Sequence, residues 1–238
     1  MGNGIYTALA GAVAQSEALD VTANNVANAS TAGFRAERVS FHEQLTRATG
    51  NRMVFVGATG GKTDGAQGAL RQTGAPLDAA LVGDAWFAVD TPRGVRYTRD
   101  GAFRTDAGGT IVTSDGLAVR ARGGGNLVIP PGAATVAIGG DGTVEADGEA
   151  IGQLELARFA PSAMVREGES LMIARGPAQA VGADVEVVGG AIEQSNFEIV
   201  RGVVDLVRVS RTYEALHRMI ERYRDIDSRT ARDIGGPG

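Results

Sequence analysis

Two stripes with alternating spacings of four and three residues, one at each end of the chain, constrain the fold more than any other feature. The first runs Ile5, Leu9, Ala12, Ser16, Leu19, Ala23 and Val26. The second runs Ile199, Val203, Leu206, Ser210, Tyr213, His217, Ile220 and Tyr223 or Arg224. This spacing places every member on one side of an α-helix, in heptad fashion. Each stretch therefore reads as a helix with a single seam, and the two are candidates to pack together. The first helix is rich in small side chains, Ala8, Ala12, Ala14 and Ala23 among them. They permit close helix approach but bury too little to stabilise a lone helix, so order has to come from partners. Asn24, Asn25 and Asn28 lower helix propensity and Gly33 tolerates positive φ, which ends the helix there. The second helix starts in "EQSNFEIV", where Ser195 or Asn196 can cap it and Glu198 adds a carboxylate to the first turn. It stops at "DIGGPG", a tail expected to fray.

Between the stripes the period changes to short β runs broken by glycine. "TPRG", "RDG", "DAGG" and "SDG" carry turn chemistry at short, regular spacing, which predicts an antiparallel meander. A second alternating set, with Asp-Gly turns, follows in "LVIPPGAATVAIGGDGTVEADGEAIGQLELARFA". The predicted organisation is residues 1–35 as helix and Asn/Gly motif, 36–75 as a connector with room for one short hairpin, 76–188 as a β domain, and 189–238 as the C-terminal helix. Glycine supplies 35 of 238 residues, about twice the usual share, while aromatics are only 5%, which favours turns over a large aromatic core.

Several function classes lose support on composition. The net charge of −5 offers no basic stripe for a phosphate backbone, so no nucleic-acid partner is expected. The absence of cysteine removes disulfides, thiolate metal sites and thiol catalysis. The N-terminal segment has no Lys or Arg ahead of its apolar part, and Glu17 and Asp20 soon follow, so no cleaved signal peptide is expected. Apolar runs fall far short of the roughly 20 residues of a spanning helix.

Candidate chemistry is sparse. His42 and His217 are the two histidines, and neither has a second ligand at metal spacing. "GGDGTVEADGEA" lacks the spaced acids and terminal bidentate Glu of a calcium loop and reads as two β-turns. "RGGGNL" does not run from strand to helix as a phosphate cradle does, and reads as a hairpin tip. Asp78, Asp84, Asp90 and Asp100 show no sign of forming a catalytic carboxylate pair. Ser16, Ser30, Ser40 and Ser114 lack a nucleophile setting. Acids interleave the arginines of the last helix, as on a solvated or interface face. No catalytic, cofactor or metal site and no small-molecule substrate are expected.

The motif "ANNVANASTAGFR", residues 23–35, resembles the A-N-N-L-A-N-x-x-T-x-G-F-K signature of bacterial flagellar rod and hook proteins, with Val26 for Leu and Arg35 for Lys. "TGAPLDAALVGDAWFAVDTPRGVRYTRDGAFRTDAGGTIVTSDGLAV" is similar to that family's β block. "GAIEQSNFEIVRGVVDLVRVSRTYEALHRMI" is similar to its C-terminal segment. Departures are Ala80, Trp86 and Ser210, which bear on pair contacts rather than on the fold. Length and the lack of a large insertion look most like the proximal-rod members, with the distal-rod members the close alternative.

The resemblance implies an α+β fold, with the terminal helices packed in coiled-coil fashion as an inner layer (D0) and a central all-β domain (D1) of antiparallel strands. It implies a non-enzymatic subunit of the drive shaft, in the basal body across the periplasm. Export would be through the flagellar type III apparatus. Its neighbours would be other rod proteins and copies of itself, with ring proteins or peptidoglycan outside. Under this reading Ala23, Asn24, Asn25, Val26, Ala27, Asn28, Thr31, Gly33, Phe34 and Arg35 form an assembly motif. Ile5, Leu9, Ala12, Leu19, Val203, Leu206, Tyr213 and Ile220 form the helix seam. The competing class is a secreted β-rich binding module with helical ends.

Overall fold

A computed structural model of the chain describes residues 2–48 and 51–234. The described residues divide into two compact units, one from residues 2–27, 37–48, 51–64 and 198–234 and the other from 28–36 and 65–197. The fold is α+β, with the two terminal helices packed together in the first unit and antiparallel strands filling the second.

In the first unit helix α1 spans Gly2–Ala27 and helix α2 spans Ile199–Ile234. They pack through buried Ala8, Ala12 and Ile220, with Ile5, Tyr213 and Leu216 against them. Alanine and glycine on α1 set the close approach: a Cβ on Gly4 would lie 2.9 Å from the Tyr223 ring, and one on Gly11 would lie 3.4 Å from Leu216. The rest of the unit is a long antiparallel hairpin, β1 (Glu37–Ala48) and β2 (Asn51–Thr63), packed on α1. Most of the expected connector is thus hairpin, and a longer one than the sequence predicts. The capping expectation for α2 needs correction too. Glu198 precedes the helix, where its carbonyl accepts from the Gly202 N–H at 2.9 Å, and the first turn holds no acid. Ser195 accepts from the Phe197 N–H, ahead of the helix. The "GGPG" end of the expected tail lies outside the described residues.

In the second unit the strand Trp86–Thr91 occupies the middle of the largest sheet. Gly94–Thr98 pairs with it on one side, in the register Phe87↔Thr98 and Val89↔Arg96. Ala118–Val119 and Leu156–Ala157 pair on the other. The order is therefore not the simple meander predicted. After Thr98 the chain crosses to the far side, and Arg104–Thr105, Ile111–Val112 and Ala118–Val119 fold back towards the central strand. The cause lies at Asp100-Gly101, which is not a hairpin tip. Arg99 and Asp100 are buried, and Gly101 passes under another strand so closely that a Cβ on it would lie 1.6 Å from the Ala79 carbonyl oxygen.

Three further strands, Val136–Ile138, Thr143–Ala146 and Glu149–Gln153, make a second sheet. Its last turn places Asp147 at φ 52, where the carboxylate accepts from the Ala134 and Thr135 amides, each at 2.9 Å or less. The strands Leu70–Gln72 and Ala191–Glu193, both outside the predicted β limits, pair with each other. The apolar core gathers Leu81, Phe87, Val89, Ile111, Leu127, Val144 and Leu154, with Phe87 and Phe103 edge to face at 5.1 Å.

Candidate functional site

The Asn/Gly motif spans both units. Within the first, α1 carries Ala23, Asn24 and Ala27 exposed, Val26 half-buried and Asn25 buried. Asn25 binds the first residue of β1 at two points: its Nδ2 donates to the Glu37 carbonyl at 2.8 Å, and its Oδ1 accepts from the Glu37 N–H at 2.9 Å. A side-chain amide here reproduces a strand partner, one donor and one acceptor side by side. Neither Asp nor Leu can do this.

The seam residues separate into two groups. Ala12 and Ile220 are buried and Ile5 and Tyr213 pack on them, while Leu19 and Leu206 are half-buried. Leu9 is 51% exposed and Val203 44%, so neither lies in the intramolecular seam. Ala8 takes the inward position that the stripe assigns to Leu9, because only a small side chain fits where α2 comes close. Together with Tyr6, Val13, Val200, Val204 and Val207, Leu9 and Val203 leave large apolar side chains open on the two helices. His217 is exposed, with its ring edge-on to Tyr213 at 4.5 Å. The His42 side chain lies outside the described residues.

Within the second unit, the motif continues through a turn. The Thr31 amide donates to the Asn28 carbonyl at 3.1 Å, its hydroxyl donates to Asn28 Oδ1 at 3.2 Å, and the Phe34 amide donates to the Thr31 carbonyl at 3.3 Å. Gly33 adopts φ +65, as its chemistry predicted. Its lack of a side chain matters a second time, since a Cβ there would lie 2.2 Å from the carbonyl carbon of Arg99. Phe34 is fully buried, with the Arg166 guanidinium 4.6 Å from its ring centre.

Arg35 leads to the cluster that sequence reasoning missed. Its Nη2 lies 2.8 Å from Glu193 Oε1, and its Nη1 donates to the carbonyls of Gly65 and Ala66. The other carboxylate oxygen of Glu193 takes Arg99 Nη1 at 3.2 Å. Arg99 also donates to the carbonyls of Leu81 and Gly83 and stands over the Trp86 ring at 5.3 Å. Glu193 is 1% exposed, and it receives the Gly68 amide at 3.0 Å as well. Its own carbonyl accepts from the Gly33 N–H at 2.8 Å. Two guanidiniums thus face one carboxylate out of water. Desolvation pulls the Arg99 pKa down to about 10 against the opposing pull of Glu193, which leaves it charged at neutral pH.

Asn196 completes the arrangement. Its Oδ1 accepts from the Ala36 amide at 2.7 Å, and its Nδ2 donates to the Ala66 carbonyl at 2.9 Å. Glu193 and Asn196 both belong to the quoted C-terminal "GAIEQSNFEIV", where helix-start chemistry hid their pairing. What this arrangement does chemically is hold chain segments together. Among the described residues no three His, Cys, Asp or Glu converge to hold a metal, and no helix is long and apolar enough to cross a membrane.

Comparison with known proteins places the motif and part of the β unit among flagellar rod and hook proteins. Residues 5–35 match the family described as "Flagella basal body rod protein", and residues 80–146 match "Flagellar hook protein FlgE/F/G D1 domain". The flagellar basal-body rod protein FlgF of Mesorhizobium japonicum is 36% identical over 219 residues, covering 90% of each chain. FlgF of Rhizobium meliloti is 33% identical over 239 residues, 99% of each. The rod protein FlgG of Agrobacterium fabrum is 31% identical over 255 residues, 95% of this chain and 97% of its own. With the motif, the packed terminal helices and the antiparallel β unit all in place, this chain is a member of the bacterial flagellar basal-body rod protein family, a family of structural components.

Proposed function

We propose that the chain is a subunit of the proximal part of the rod, without catalytic activity, that transmits torque as part of the drive shaft. The observation that carries this reading is the uncovered apolar surface of the helix pair. Tyr6, Leu9 and Val13 on α1, and Val200, Val203, Val204 and Val207 on α2, are exposed within the unit. Single exposed apolar residues are ordinary, but a set concentrated on two helices marks a contact surface. The occupants under this reading are other rod proteins and further copies of the chain. Its place is the basal body, in the periplasmic span, and it is delivered by the flagellar type III apparatus. Ring proteins or peptidoglycan lie outside. The identity to these FlgF proteins, 36% and 33%, is higher than the 31% to the FlgG of Agrobacterium fabrum, which supports the proximal position over the distal one.

The test is recovery from isolated basal bodies. Deletion of the gene should abolish swimming and leave basal bodies with truncated rods, and a plasmid copy should restore both while placing the chain among the rod components. A chain that stays out of basal bodies while swimming persists would overturn the reading. Specific glycan binding would favour a binding module, and substrate turnover an enzyme.

A further inference from the structure

We propose that Arg35, Glu193 and Arg99 form a latch that opens and closes without unfolding the β core, and so sets how firmly the second unit holds the chain segments that lead out of it. The apolar core of that unit draws its members from residues between Leu77 and Val187. The segments 28–36, 65–76 and 189–197 contribute nothing to that cluster. Mostly polar bonds join them to one another. Besides the bonds at Glu193, the Gln194 amide donates to the Ala69 carbonyl at 2.8 Å and the Asn196 amide to the Phe34 carbonyl at 3.3 Å. The strand pair between them is three residues long on each side, and Leu70–Gln72 is exposed throughout. Phe34 is buried, but outside the core cluster.

The ionic cluster makes this layer cooperative. Taking three charges out of water is expensive, and their attraction repays the cost only when all three are in place. Without Glu193, the two guanidiniums face each other as like charges. The layer therefore closes as a whole or opens as a whole, as a local unit distinct from the core. Residues 28, 36, 65 and 197 are where the chain passes out of the second unit. The closed latch anchors these exits to the core through Arg99, which bonds the Leu81 and Gly83 carbonyls. For a rod subunit, the reading on which this use rests, the closed state passes a twisting load from the exits into the sheet.

Hydrogen exchange on the isolated full-length chain tests the latch without any rod, so its failure is separate from failure of basal-body recovery. In wild type under low urea, the amides of Gly33, Gly68, Gln194 and Asn196 should exchange at least about tenfold faster than those of Ile111, Ile129 and Leu154, with a weaker dependence on urea. Glu193→Gln should speed the first set by a further factor of about ten or more and leave the second set unchanged. One common rate and urea slope for both sets in wild type would overturn the proposal. So would wild-type rates at the latch amides in Glu193→Gln, or a Glu193→Gln chain that fails to fold, because the core is held to fold without the latch.

Discussion

Replacing Gly33 by alanine separates two demands that the structure makes at this position. The first is backbone conformation. Gly33 sits at φ +65, where an L-residue costs about 1–2 kcal/mol. The second is space. The added Cβ would lie 2.2 Å from the Arg99 carbonyl carbon and 2.3 Å from the Asp100 nitrogen, more than an ångström inside ordinary contact. Both neighbours are backbone, so no side-chain rotation relieves the clash. If Gly33 moves away, its 2.8 Å hydrogen bond to the Glu193 carbonyl is lost, at about 0.5–1.5 kcal/mol. Together these amount to about 1.5–3.5 kcal/mol, or roughly ten- to three-hundredfold in the opening equilibrium of the surrounding segments.

Gly74 is the control, because it has φ +73 and a Cβ added to it would meet nothing within 4 Å. Asparagine tolerates left-handed φ, so Gly74→Asn should be close to neutral, whereas Gly33→Asn should still be damaging through the close approach, though less so than Gly33→Ala. The assay is exchange of the Gly68, Gln194 and Asn196 amides, together with swimming and rod yield. Wild-type protection in Gly33→Asn would refute the close-approach reasoning. Wild-type protection in Gly33→Ala would refute both parts.

Leu206 is half-buried within the helical unit. Leu206→Asp removes up to about 1.5–3 kcal/mol of apolar burial against neighbouring subunits and adds a carboxylate to desolvate. Its recovery in basal bodies should collapse while the melting of the isolated chain barely changes; wild-type recovery would mean that Leu206 faces solvent in the rod. Ile220 is the one large side chain buried in the helix-pair cluster among the described residues. Ile220→Ala should cost about 2–5 kcal/mol and reduce helical circular dichroism without shifting the melting of the β unit, and unchanged helicity would count against this packing. Burial raises the Asp100 carboxyl above its ordinary 3.8, opposed by hydrogen bonds from the Ala102 amide and the Ser114 hydroxyl. The folded state then binds the proton more tightly than the unfolded state, so this contribution favours folding at low pH and is lost as pH rises from 3.8 through the folded value. Asp100→Asn should flatten that part of the profile of urea midpoint against pH, and parallel profiles would show that Asp100 does not cause it.

Helix periodicity and turn chemistry act over a few residues, and these were legible in the sequence. The four-three stripes marked α1 and α2, the asparagines marked the end of α1, and Gly33 announced its left-handed backbone. The turns at Asp141-Gly142 and Asp147-Gly148 followed from the same local chemistry. Which residues of a stripe point inward was not legible, because Ala8 displaces Leu9 only where the side chains of α2 come close. Asp100-Gly101 carries a turn dipeptide, yet it is buried because Ala79 packs over it from another strand. The pairing of Arg99 with Glu193 joins positions 94 residues apart, and that of Ala36 with Asn196 joins positions 160 apart. No local period encodes such partners. An arginine on a β segment reads as a solvated charge until tertiary structure removes the water around it and places a carboxylate at its side.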